Sequence, residues 1–142
     1  MVREEGVIRS VLVSALALIL AGMVAACGGP SFVIPPDSSP PAIVLDVYLH
    51  ALLSGDCAAG HALGTETFRK GNGELCGATT VISARIKGDP AVPNSDEVVF
   101  ATTLVTTGTA DSSVPAGEMT WFYGLGRQPN GSWRLTGGGS GP

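Results

Sequence analysis

The hydrophobic period of the chain changes once, near Thr79, and does not change back. Before that point "SSPPAIVLDVYLHALLSGDC" places Val44, Val47, Tyr48, Ala51 and Leu52 at the i, i+3, i+4, i+7, i+8 spacing of one helical face. Pro40 and Pro41 suit the entry to that helix, where a missing N–H costs nothing, and Gly55 suits its exit. Asp56 stands where an N-cap would, so "CAAGHAL" forms a second short helix before Gly64, and a further turn over Thr65 to Lys70 ends at Gly71 to Gly73. After Thr79, "TTVISARIKG" alternates Ile82, Ala84 and Ile86 against Ser83, Arg85 and Lys87, the pattern of a half-buried strand. "DEVVFATTLVTTG", rich in β-branched residues, "EMTWFYGLGR", which carries aromatics, and "SWRLTG" supply three more strands. The last two are joined by "RQPNG", where Asn130-Gly131 offers the positive φ that a tight hairpin uses. Helices followed by a run of antiparallel strands imply an α+β fold, with N-terminal helices packed on a curved four-stranded antiparallel sheet.

The first 40 residues read differently. Arg3 and Arg9 flank a polar head in which Glu4 and Glu5 cancel their charge, and "VLVSALALILAGMVAA" then runs uncharged to small residues. A spanning helix needs ~20 apolar residues, so this shorter stretch reads as a cleaved export signal over residues 1–26. Its end, "VAAC", is Val24, Ala25, Ala26 and Cys27, and it resembles a bacterial lipobox. That resemblance implies a diacylglycerol on the Cys27 sulfur and cleavage that leaves Cys27 as the first residue. The protein would then be anchored in the cell membrane on its extracytoplasmic face. Two acyl chains hold a protein stably, because each buried methylene contributes ~0.8 kcal/mol. The alternative is an ordinary secretory signal that ends near a cysteine. Residues 27–40, "CGGPSFVIPPDSSP", offer too little apolar surface to pack and read as a flexible tether, with the folded part starting near Pro41 and a disordered tail over 139–142. With Cys27 given to lipid, Cys57 and Cys76 remain, an even pair that suggests a disulfide in an exported domain. A zinc or redox site fits poorly, since no CxxC is present and the two histidines lack zinc-finger spacing.

The order of elements, with "SGDCAAGHAL" after the first helix and the ending "GSWRLTGGGSGP", resembles the NTF2-like superfamily, specifically its small actinobacterial lipoproteins, over Pro41 to Gly138. The resemblance implies a cone-shaped cavity between helix and sheet, on a fold that hosts isomerases, dehydratases and plain binding or assembly modules; fold alone does not choose among them. Enzymes of the superfamily use an acid or an Asp–His couple inside the cone. Here the strand acid on offer is Glu118, at a strand start, so no catalytic residue carries over.

Read from the residues, a general base would be His50 or His61, assisted by Asp46 or Asp56. His50 follows Asp46 by four residues, which sets both on a helix face offset from the apolar stripe and makes a solvated pair. His61 falls in the Ala-rich short helix, where surface packing competes with any ligand role. Aromatic walls serve apolar ligands and protein partners alike. Trp121 and Tyr123 share one strand face opposite Phe122, and with Tyr48 from the helix wall they are the candidate ligand-binding residues, against the plainer reading of all three as core. "GLGRQPNG" lacks the helix that a phosphate loop needs, "GDPAVPNSDE" lacks the ligand spacing of a calcium loop, and Glu97 is a strand-entry residue in water. A net charge of −4 without a basic stripe excludes nucleic acid as a partner class. No metal site, cofactor site or catalytic set is expected. The expected role is non-catalytic, with the domain binding a small apolar ligand or an envelope protein. The alternatives are an enzyme using a pocket His or Asp as general base, and a structural module that forms homodimers. If Cys27 carries the anchor, Cys27→Ser releases the protein from the membrane or stalls its processing. Fractionation of the cell envelope reads this out, and retention at mature size would overturn the lipid assignment.

Overall fold

A computed structural model describes residues 32–141. The expected signal, the lipobox and Cys27 lie outside these residues. The elements run α1 (Pro41–Ser54), α2 (Cys57–Ala62), α3 (Glu66–Arg69), β1 (Val81–Asn94), β2 (Glu97–Thr107), β3 (Ala116–Arg127) and β4 (Trp133–Gly139). The strands form one open antiparallel sheet in the order β1-β2-β3-β4. The chain is thus α+β, with a few helices preceding a four-stranded meander. None of the helices among the described residues is long and apolar enough to cross a membrane.

Pro41 opens α1, and Gly55 closes it in the left-handed region at φ 72°, its N–H donating to the Leu52 carbonyl over 3.2 Å. The helix buries Val44, Leu45, Tyr48, Leu49, Ala51 and Leu52. Its buried face is therefore rotated from the expected stripe: Leu45 and Leu49 enter the core and Val47 stays at its fringe. The sequence of α1 is apolar over most of its circumference, so periodicity alone did not choose the face. Asp56 caps α2 by accepting the Ala59 N–H at 3.0 Å, and Thr65 caps α3 by accepting that of Phe68 at 3.3 Å.

The sheet departs from simple alternation at both edge strands. Val81 pairs with Thr106 and Ser83 with Val105, so two steps on β1 meet one on β2 and Ile82 is bulged out. Ile82 is consequently 62% exposed, and Val81 takes the core position expected for it, with Ala84 and Ile86 following on the inner side. A second irregularity between Lys87 and Ala91 spans Gly88, at φ 66°, and Pro90. On β2 and β3 the pairing is regular, with Phe100 opposite Tyr123 and Thr102 opposite Trp121. The β2–β3 loop is tied by Asp111, which accepts from the hydroxyls of Thr109 and Ser113 and from the Ser113 N–H; these bonds hold its carboxyl down at about 2. The β3–β4 loop turns with Gly131 alone at positive φ, 86°, and the Gln128 N–H reaches the Ser132 carbonyl at 2.7 Å.

The outer edge of β4 is closed. Its Leu135 N–H donates to the Leu63 carbonyl, the Leu135 carbonyl accepts from Thr65, and the Gly138 N–H donates to the Asn72 carbonyl. No hydrogen bond from another element, among the described residues, reaches the corresponding free edge of β1 between Ser83 and Lys87.

The packed body begins before Pro41. Pro35 is buried, and the Asp37 carboxylate accepts from Arg134 Nη2 at 3.1 Å and from Asn130 Nδ2 at 3.3 Å. The folded body therefore takes in residues that the sequence alone assigns to the tether through residue 40. At the other end Gly139 pairs with Phe122 inside the sheet, so the expected tail over 139–142 loses its first residue to β4.

Cys57 and Cys76 form a disulfide, with Cα atoms 5.5 Å apart, that fastens the start of α2 to the segment leading into β1. Closing a loop of this length removes denatured-state entropy, so replacing both cysteines by serine lowers stability by about 3 kcal/mol. Urea unfolding of the oxidised protein and of the double variant measures the difference; equal midpoints would show that the bridge braces nothing.

Candidate functional site

The space between α1, α3 and the sheet is filled by three rings set edge to face. Tyr48 lies 5.5 Å from Phe68 and 5.3 Å from Tyr123 between ring centroids, with interplanar angles of 72° and 71°. Phe68 and Tyr123 complete the triangle at 6.4 Å. Tyr48 and Tyr123 are wholly buried and Trp121 is 8% exposed, so all three candidate ligand-binding residues belong to the core cluster. A cleft of about 530 Å³ lies elsewhere, beside the disulfide, between Leu52 and Leu53 at the end of α1 and Thr79, Val81 and Thr107 at the end of the sheet.

Sequence reasoning missed the most constrained side chain in this interior. Gly73, at φ 96°, lies directly on the backbone of Gly138, and a Cβ on Gly73 would overlap Gly138. That approach carries the next residue, Glu74, beneath the surface, where its side chain is 5% exposed. Glu74 Oε1 accepts the Tyr48 hydroxyl at 2.7 Å and the Cys76 N–H at 2.8 Å. Oε2 makes no hydrogen bond and faces His61 Nε2 at 3.7 Å. Tyr123 Oη and Trp121 Nε1 are likewise buried without a hydrogen-bond partner. Burial, then the neighbouring Tyr123 and the Glu74 carboxylate, push the Tyr48 hydroxyl far above the ordinary tyrosine range, and burial raises Tyr123 as well. Both phenols therefore stay protonated in the folded chain, and Tyr48 holds the carboxylate as a donor.

His61 is thus brought against an acid, though Glu74 rather than Asp56, whose carboxylate is spent on the cap of α2. A carboxylate behind an imidazole can fix its tautomer, and the His61 side chain is 41% exposed. Neither His61 nor Glu74 lines the cleft beside the disulfide. His50 and Asp46 form the solvated arrangement read from their spacing: Nδ1 lies 2.8 Å from the Asp46 carbonyl and 3.5 Å from its carboxylate, with both side chains more than half exposed. Glu97 and Glu118 are exposed at strand starts. Among the described residues, no group of three His, Cys, Asp or Glu side chains is placed to hold a metal ion. In the sequence Glu74 sits in "GNGELCG", between a glycine and Leu75 and two residues before a bridged cysteine, a setting that does not by itself announce burial.

The opposite face of the sheet is chemically distinct. Val99, Ala101, Val105 and Phe122 sit there half-buried, and the helices pack on the other side. Alongside them, β1 presents Arg85 and Lys87, exposed and with no acid in ion-pair range among the described residues. No protein-family model matches the chain, and no curated protein matches it in sequence.

Two results follow from the buried phenols. Tyr48→Phe leaves Glu74 Oε1 with the Cys76 N–H alone and lowers stability by about 1.5–3 kcal/mol, the range for a hydrogen bond to a charged group. Because the folded-state pKa of both tyrosines lies above the unfolded value of about 10, their stabilising contribution is complete below that pH and falls as pH rises past it. Tyrosinate absorbance should appear only together with alkaline unfolding, since the chain has 2 tyrosines and both are buried. Ionisation that precedes loss of structure would place one ring in water.

Proposed function

We propose that the protein is an exported lipoprotein, anchored through Cys27, whose NTF2-like domain binds another protein of the cell envelope without catalysing a reaction. The observation that carries this reading is the contrast between the two sides of the sheet: the inner side is filled by Tyr48, Phe68 and Tyr123, while Val99, Ala101, Val105 and Phe122 stand half-buried on the outer side, with no helix packed over them among the described residues. A cone that accepts an apolar ligand needs free volume behind the aromatic wall, and here the wall packs against itself. A half-buried apolar strip on the helix-free face of a small sheet supports a protein-binding role for that face. Three helices ahead of a four-stranded antiparallel sheet support the NTF2-like assignment, and the "VAAC" motif supports the anchor. A second copy of the chain is the competing occupant, because half-exposed sheet faces also bring protomers together.

Native mass spectrometry of the gently purified protein, combined with photocrosslinking from position 122 in the intact envelope, tests the reading. The expected result is a protomer with no mass beyond its polypeptide and lipid, and a crosslink to a different protein. A discrete extra mass would transfer the function to a small ligand. Crosslinks only between identical chains would make the domain an assembly module, and either outcome overturns the proposal.

A further inference from the structure

We propose that the free edge of β1 binds, by strand addition, an extended segment in which acidic residues alternate with apolar ones. This rests on the protein-binding reading above and names the chemistry of the partner. Between the bulge at Ile82 and the irregularity at Gly88 and Pro90, Ser83 to Lys87 pair regularly with β2 on one side, and among the described residues no other element pairs with them on the other. Five residues suffice for a short added strand, whose main-chain bonds give affinity while alternate side chains give selectivity.

The selectivity follows from which way β1 faces. Arg85 and Lys87 lie opposite Thr103 and Ala101, on the outer face, whereas Ala84 and Ile86 lie opposite Leu104 and Thr102, on the core face. An added strand continues both faces. Its residues beside Arg85 and Lys87 meet two cations that no acid neutralises among the described residues, and carboxylates complement them. Its residues on the other face lie beside Ala84 and Ile86, which together with Val47 form the partly buried fringe of the core, and apolar side chains extend that fringe. A second copy fits poorly at this edge. The charges within Ser83 to Lys87 are all positive, so a two-fold pairing sets cation against cation. Extension toward Asp89 is blocked, because Pro90 has no N–H and the register shifts between Lys87 and Ala91.

The test uses the full-length protein in detergent micelles and two capped peptides of about eight residues, one alternating Glu with Val and the other Lys with Val. The Glu–Val peptide is expected to slow hydrogen exchange of β1 amides between Ser83 and Lys87, while the Lys–Val peptide does not. Arg85→Glu with Lys87→Glu, both at exposed positions, should weaken the Glu–Val peptide by roughly tenfold or more and make Lys–Val the better ligand. An unchanged melting temperature certifies that this variant is folded. Equal binding of both peptides to the native chain, or protection confined to the cleft beside the disulfide, overturns the edge site. Should position 122 still crosslink to another protein in that event, the protein-binding reading stands and only this edge is excluded. Peptide binding at β1 without any such crosslink would keep the edge and remove the outer face.

Discussion

Taking a carboxylate out of water costs several kcal/mol unless its oxygens are paired, and the interior of this domain is organised around the residue that meets this condition only in part. Glu74 is held by the Tyr48 hydroxyl and the Cys76 N–H, with one oxygen left to an imidazole at 3.7 Å. Each partner comes from a different element: Tyr48 from α1, His61 from α2, and Cys76 from the bridged segment before β1. The two-glycine contact between Gly73 and Gly138 ties the same segment to β4. Removing any one of these would leave the carboxylate to seek solvent and open the seam between helices and sheet. The disulfide thus acts on the folded interior as well as on the unfolded chain, because it restrains the backbone two residues from the buried acid.

The same logic explains why Tyr48 is a tyrosine. A phenylalanine would pack against Phe68 and Tyr123 equally well, but it offers no proton to Glu74. Tyr123 occupies the matching place on β3 without a partner for its hydroxyl, so the two phenols play unequal parts despite equal burial. Below them, Thr102 resolves its own burial locally by donating to the Trp121 carbonyl across the strand pair at 2.7 Å.

Much of the fold could be read from hydrophobic spacing, because the α1 cap, the Asp56 cap and the alternating strands are local features. The bridged pair Cys57 and Cys76 was legible for a different reason, being the even remainder once Cys27 was set aside. What spacing could not reach depended on contacts far apart in sequence. Ile82 carries the right period but lies at a bulge, whose position is set by its pairing with β2. Leu45 and Leu49 faced inward because the sheet met that side of an almost uniformly apolar helix. Asp37 reads as one polar residue in a Pro- and Ser-rich run, and only the folded hairpin brings Arg134 and Asn130 to it. Glu74 was hidden for the strongest reason: acids are rarely buried, and nothing local announces a glycine that rests on another glycine 65 positions away, Gly138 against Gly73.

The contact between Asp37 and the β3–β4 hairpin also sets how the domain bears a pull on its N-terminal end. A pull applied at Pro35 would load its own packing and the Asp37 bonds to Arg134 and Asn130 before it reached the first turn of α1. That pair is half in water, with the Asp37 side chain 60% exposed, so it is the weaker link and yields before the sheet does. Its release would free the chain between Pro35 and Pro41 ahead of the helix. Rising ionic strength would therefore loosen the N-terminal segment at this partly exposed ion pair before it touched the apolar core.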